Sequence, residues 1–269
     1  MTRITCVAVL AAAVASAPGL LVSAQTPSGR ELMEEQIRRH APDTEYSEST
    51  ILLVDERGRE KERRVVTYTR RGDDGLTQSL LKFLEPADIR DTGLLTWEQP
   101  ADREDDQWLY LPATRSAKRI SGASKKQLFM GTDLAYEDLR AESLDAHEYR
   151  VLREEPLDGE ACWVIEATPA TDKEKRDSGY SKRVFWVRQD VHLTVKVEFY
   201  DRAGKLDKVG TLGDLVQVEG DMWRANRSVI ERTGSNTRTV WGFQKREVNG
   251  DLDETLFTQQ GLSRPAIAR

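Results

Sequence analysis

Beyond Pro42 the chain alternates apolar and polar residues with a period of two for most of its length. In Leu193-Thr194-Val195-Lys196-Val197-Glu198-Phe199-Tyr200, the set Leu193, Val195, Val197 and Phe199 faces one way, with Lys196 and Glu198 opposite. That pattern predicts a strand wet on one face and apolar on the other. Similar runs cover 46–54 and 64–69 around the turn Asp55-Glu56-Arg57-Gly58, then 79–84, 94–97 and 107–111. A second series covers 147–153 and 161–168, split by Asp158-Gly159, a strong hairpin signal, then 181–188, 193–200, 205–218, 222–231 and 237–245. An amphipathic helix is expected over 30–39, with Leu32, Met33 and Ile37 inward. The expected fold class is therefore mainly β: a highly curved antiparallel half-barrel of about ten or eleven strands, with a few helices over its concave face. A flat sheet of that width would expose too much apolar surface.

The first residues change the picture. Arg3 is the only charge before position 30, and Ile4 to Val22 is rich in Val, Ala and Leu, interrupted by Pro18-Gly19. Val22-Ser23-Ala24 supplies residues compatible with signal-peptidase cleavage, so residues 1–24 are expected to be a signal peptide. An uncleaved anchor is the rival reading, since the run is nearly long enough to span a bilayer. Removing 24 of 269 residues leaves 245 with a formal charge of −7, because Arg3 is lost from a chain of −6. Residues 25–269 then read as a single domain, with no linker or repeat to divide it. Cys162 is the one cysteine left, so burial rather than a disulfide must hold the fold. The acidic balance argues against a nucleic-acid partner.

Catalytic chemistry has weak candidates. His40, His147 and His192 lie on separate elements without the spacing of a zinc site, so neither a metal nor a cofactor is expected. The cluster Asp102, Glu104, Asp105 and Asp106 lacks the glycine turn of a calcium loop and reads as a solvated hairpin tip. Cys162, mid-strand beside Trp163, reads as a buried inert thiol. More informative is the stretch from Phe129 to Leu139, where an apolar pair precedes Gly131 and an aromatic-acidic segment follows. It reads as a mobile flap over something apolar. Arg115, Lys118, Arg119, Lys125 and Lys126 precede it and could meet anionic headgroups or an acidic partner.

Phe83-Leu84-Glu85-Pro86-Ala87-Asp88-Ile89-Arg90-Asp91-Thr92-Gly93, Trp108 to Pro112 with Arg119-Ile120-Ser121, and Phe129 to Leu139 together resemble blocks of a known family. Asp158-Gly159 with Cys162 to Glu166 and Pro169, then Trp186-Val187 through Lys196 to Asp201, extend the likeness over nearly all of the chain. The pattern resembles that of bacterial LolA-like outer-membrane lipoprotein-sorting proteins, in a branch similar to proteins that accompany RND-type exporters. The resemblance implies a periplasmic, monomeric, non-enzymatic carrier of a lipid or acylated lipoprotein, working between an inner-membrane transporter and an outer-membrane acceptor. Phe129-Met130-Gly131-Thr132-Asp133-Leu134 departs from the lid segment of the best-known LolA carriers, which leaves the cargo open. An adaptor for an inner-membrane RND-type exporter, without lipid carriage, is the alternative.

On this reading Trp108, Tyr110, Phe129, Met130, Leu134 and Tyr136 are expected to contact the ligand in the first half of the chain. Trp163, Ile165, Phe185 and Val187 are expected to do so in the second. A strand phase wrong by one residue would exchange the two faces.

Overall fold

The computed structural model describes residues 27–268; the leader and its cleavage point after Ala24 lie outside them. Helix α1 (Gly29–His40) opens on a capping box, in which Ser28 Oγ accepts from the Glu31 amide and Glu31 accepts from the Ser28 amide at 2.8 Å. A Cβ on Gly29 would stand 2.9 Å from the Tyr149 carbonyl carbon, so glycine lets the helix start hard against the sheet.

Among the described residues thirteen strands follow, all in one antiparallel sheet: β1 (Thr44–Val54), β2 (Glu60–Arg71), β3 (Thr77–Glu85), β4 (Gly93–Trp97), β5 (Asp106–Leu111) and β6 (Ser116–Ile120) form the first meander. The second comprises β7 (His147–Leu157), β8 (Glu160–Pro169), β9 (Tyr180–Arg188), β10 (Leu193–Asp201), β11 (Leu206–Glu219), β12 (Met222–Arg232) and β13 (Arg238–Val248). The order runs β6-β5-β4-β3-β2-β1-β13-β12-β11-β10-β9-β8-β7, so the meanders join where β1 pairs β13, from Glu45 opposite Val248 to Val54 opposite Arg238. The mainly-β curved sheet matches the sequence-based expectation, with more strands than the ten or eleven foreseen. Strand β6, Ser-Ala-Lys-Arg-Ile, is one that the pattern could not reveal, because four of its five residues are exposed. The Asp158-Gly159 turn has φ of +52° and +88°, as a two-residue hairpin of the right twist requires.

Each face of the sheet is covered differently. Over the inner face of β7–β10 lies α1, where Leu32 and Met33 pack on Ile165, Phe185, Val187 and Phe199. Over the inner face of β1–β5 lies the 121–146 connection between the two edge strands, with Phe129 and Tyr136 buried on Ile51, Val65, Leu81, Phe83 and Leu109. On the outer face of β1–β5, residues 249–268 form a strap, and Phe257 and Leu262 bury Tyr46, Val66, Tyr68, Leu80 and Leu95. Lys82 donates to the Leu262 and Arg264 carbonyls, Trp97 to Phe257 O at 2.9 Å, and Asp91 accepts from the Ala266 amide at 2.7 Å, which fasten that strap. A short helix α2 (Asp172–Asp177) sits in the β8–β9 connection, and α3 (Gln259–Ser263) in the strap.

Candidate functional site

Between the 121–146 segment and β9–β13, the inner face is hollow. The cavity measures about 510 Å³. Its apolar wall is made by inward residues of successive strands: Phe185, Val197, Phe199, Leu212, Ile230 and Trp241. Gly210 belongs to this wall, and a Cβ there would meet Ile230 Cδ1 at 2.9 Å and Phe199 Cε2 at 3.7 Å. Glycine there gives the Ile230 side chain room to lie flat in the wall, and a larger residue would push Ile230 toward the hollow. Leu134 and Leu139 close the roof.

The roof is fastened by buried polar links, each from a lid residue to a distant strand or loop. Asp133 accepts from Thr237 and Thr239 hydroxyls at 2.7 and 2.8 Å. Asp138, 3% exposed, pairs with Lys208, 1% exposed, and accepts from the Tyr180 hydroxyl at 2.9 Å. Glu137 accepts from Ser178 Oγ at 3.0 Å and from the Gly179 amide at 2.9 Å. Burial, reinforced by neighbouring Asp138, pushes the Glu137 carboxyl above its ordinary range. Arg140 reaches Asp105 at 2.8 Å and Glu174 at 3.5 Å. Glu142 takes a two-pronged donation from Arg183 at 2.6 and 3.0 Å and a third bond from the Tyr149 hydroxyl at 2.6 Å. Arg183 also lies 2.9 Å from His147 Nε2, which must therefore be the bare nitrogen, leaving Nδ1–H to donate to Ser143 O at 3.1 Å. Burial first, then the Arg183 charge, lower the His147 pKa and favour that neutral form.

The other end of the cavity carries a second charged group. Glu45 of β1 accepts from Arg246 Nε at 2.9 Å and from Arg224 at 2.8 and 3.1 Å. Here the chain's outer rim meets the end of α1: the Trp223 amide donates to His40 Nδ1 at 3.1 Å, and His40 Nε2 faces Val191 O at 2.9 Å. A further groove of about 490 Å³ shares Ala141, Glu142, Ser143, Leu193 and Leu212 with the cavity and runs outward past Ile37 and His40. It is the mouth.

The structure redistributes the ten expected contact residues. Leu134 and Phe185 line the cavity. Trp163, Ile165 and Val187 share its face but pack beneath α1 or against His192. Phe129 is fully buried, stacked on Phe83 with ring centroids 5.8 Å apart and edge-on to Tyr136 at 5.5 Å, so these two plug the neighbouring lobe instead of lining a hollow. Met130, at φ +48°, packs against the same cluster and its carbonyl accepts from Arg63 at 2.5 Å. Trp108 and Tyr110 point to the outer face, under the strap; Leu109 is the inward residue of β5. The phase was one residue off there.

The basic run also divides. Arg115, Lys118 and Arg119 are exposed at the β5–β6 turn and on β6, with Arg119 paired to Asp106 at 2.5 Å. Lys126 reaches Arg176 O at 3.3 Å. Lys125 is only 4% exposed, donating to Asp105 O at 2.7 Å and pairing with Glu104 at 3.2 Å. The acidic loop read as a solvated tip is thus partly buried, with Asp105 an anchor for the lid. Glu45, Arg224, Arg246, Glu142 and Arg183 escaped the sequence reading because their partners are many residues away. Among the described residues no group of His, Cys, Asp and Glu could hold a metal ion, and no helix is long and apolar enough to cross a membrane.

No curated protein matches the sequence. Residues 75–264 match a family described as uncharacterized. A putative outer membrane lipoprotein-sorting protein domain from Vibrio parahaemolyticus is 28% identical, with a TM-score of 0.82 over 88% of this chain and 98% of that one. A DUF1329 family protein from Desulfovibrio piger is 30% identical, with a TM-score of 0.82 over 87% of this chain and 97% of that one. A LolA superfamily protein from Nitrosomonas europaea shares the fold at 22% identity and a TM-score of 0.68, covering 88% and 100% of the two chains. The chain belongs to the DUF1329 family and shares its fold with the LolA superfamily protein.

Proposed function

We propose that the protein is a non-enzymatic periplasmic carrier, which shelters the acyl chain of a lipid or acylated lipoprotein and moves it from inner to outer membrane. The observation that carries this reading is the roofed hollow on the inner face. It has an apolar wall, in which Gly210 makes room for Ile230, and a volume of about 510 Å³, within the size range of ligand pockets. The Vibrio parahaemolyticus relative, described as an outer membrane lipoprotein-sorting domain, supports the same class of cargo. The driving force is of the right order, since each CH₂ withdrawn from water contributes ~0.8 kcal/mol. The ionisable groups along the roof hold one another and the lid, an arrangement suited to enclosure.

Gly210→Leu tests this directly by filling the wall. Binding of a fluorescent fatty acid is expected to weaken by about tenfold or more, with lipid lost from the native mass spectrum and an unchanged circular-dichroism spectrum. Wild-type protein that emerges free of lipid and fails to bind the fluorescent probe would refute carriage.

A further inference from the structure

We infer that the cavity selects amphiphiles with an anionic head, which docks on Arg224 and Arg246 at the mouth while the chain lies along the apolar wall. The inference rests on the carrier reading and adds the chemical class of the ligand.

Charge bookkeeping within the hollow points to it. At the roof, acids face their own cations: Asp138 has Lys208, Glu142 has Arg183, and Glu174 with Asp105 shares Arg140. No spare cation is left at that end. At the mouth the balance reverses, because two guanidiniums share the single carboxylate of Glu45. Both Glu45 oxygens are already committed, Oε1 to Arg246 and Oε2 to Arg224. The remaining contacts, Arg246 to Asn226 Oδ1 and Ala225 O and Arg224 to Trp223 O, are to neutral oxygens and leave N–H donors of each guanidinium uncommitted. The cluster is largely shielded from bulk water: side-chain exposure is 8% for Arg246, 16% for Arg224 and 18% for Glu45. A surplus cation so placed is poorly solvated, and a carboxylate or phosphate there would supply the missing charge and take several charge-assisted bonds.

Position agrees with charge. Leu212 pairs with Ser228, and Arg224 lies further along β12 toward α1, where Trp223 touches His40. The adjoining groove shares Leu193 and Leu212 with the cavity and is lined by that same His40. Beyond it the wall continues inward through Phe199, Ile230 and Trp241 to Leu134. A chain entering tail-first would therefore leave its head beside the two arginines. A cationic head would meet the same surplus as repulsion.

Isothermal titration of the full chain with three twelve-carbon ligands below their micelle concentrations separates head from tail: laurate, dodecyltrimethylammonium and 1-dodecanol. Laurate is expected to bind about tenfold or more tighter than the ammonium. Arg224→Met should weaken laurate by about tenfold while leaving 1-dodecanol unchanged. Glu45→Gln removes the competing carboxylate and should tighten laurate, which keeps the test intact if Arg224→Met misfolds. A lysophosphatidate of the same chain length, compared with laurate, identifies phosphate or carboxylate as the preferred head. Equal affinity for laurate and the ammonium overturns the head-group inference but leaves the carrier reading standing. Binding of none of the ligands overturns the carrier reading and this inference together.

Discussion

Lys82 shows how one residue can report on the strap. It is 2% exposed on the outer face, and burial lowers its pKa from 10.5 to about 8, with Asp91 pulling the other way. Between those pH values the unfolded chain binds a proton that the native protein has released. Stability contributed at this site therefore rises with pH across the window, by up to about 3 kcal/mol. Urea unfolding of wild type and Lys82→Met at pH 7.5 and pH 10 should show the difference between them shifting in favour of wild type at the higher pH. A pH-independent difference would mean that Lys82 stays charged on its two carbonyls. The same strap explains why single residues here resisted phase assignment. Leu80 and Leu81, Leu94 and Leu95, and Trp108 beside Leu109 are apolar on both faces because both faces are covered. Trp163, Ile165, Phe185 and Val187 lie on the inner face, yet Val164, Val184 and Trp186 make the other face of the same strands apolar too, so alternation alone left their phase open.

Among the elements, the lid behaves as a fixed part rather than the loose flap its sequence suggests. Phe129 is anchored in a core, and Asp133, Asp138, Arg140 and Glu142 are each held by a partner on another element. Removing one member of the buried Asp138–Lys208 pair strands the other: Lys208→Met is expected to destabilise by about 3–5 kcal/mol in denaturant unfolding. Replacing both, as Lys208→Met with Asp138→Leu, should recover most of that loss, because no charge is then left buried without its counterpart. A double variant as unstable as the single one would show that the pair supplies net stabilisation beyond mutual neutralisation. Nothing local in the sequence marks these acids as inward. Asp138 and Lys208 are seventy positions apart, and a run of Asp and Glu after a glycine looks the same whether it meets water or a distant lysine. Strands and turns, by contrast, were legible because period-two alternation and Asp-Gly are local signals.

For the whole molecule, an open sheet leaves two edges, β6 and β7. An unpaired edge invites another strand, and β6 presents Lys118 and Arg119 to solvent, the usual protection. Edge protection is a physical role for Lys118 and Arg119 that requires no headgroup. Lys118→Ile with Arg119→Val should produce concentration-dependent association in light scattering, with little change in melting temperature; a variant that stays monodisperse would argue against it. The global curve and the cavity were legible from the number and width of the strands and from the family resemblance. Where the hollow lies was not, since it depends on the lid filling one lobe with Phe129 and Tyr136 and sparing the other.

The pairing of β1 with β13 joins Glu45 to Val248 in the middle of the sheet, not at its border. Ribosomes make the chain from one end, so the central seam is the last to be stitched. Until Arg238–Val248 emerges, two half-sheets wait with raw inner borders, and closing them demands contact across about two hundred positions. Late closure of this kind leaves the two halves free to fold first and keeps the hollow they share unformed until the final strand arrives.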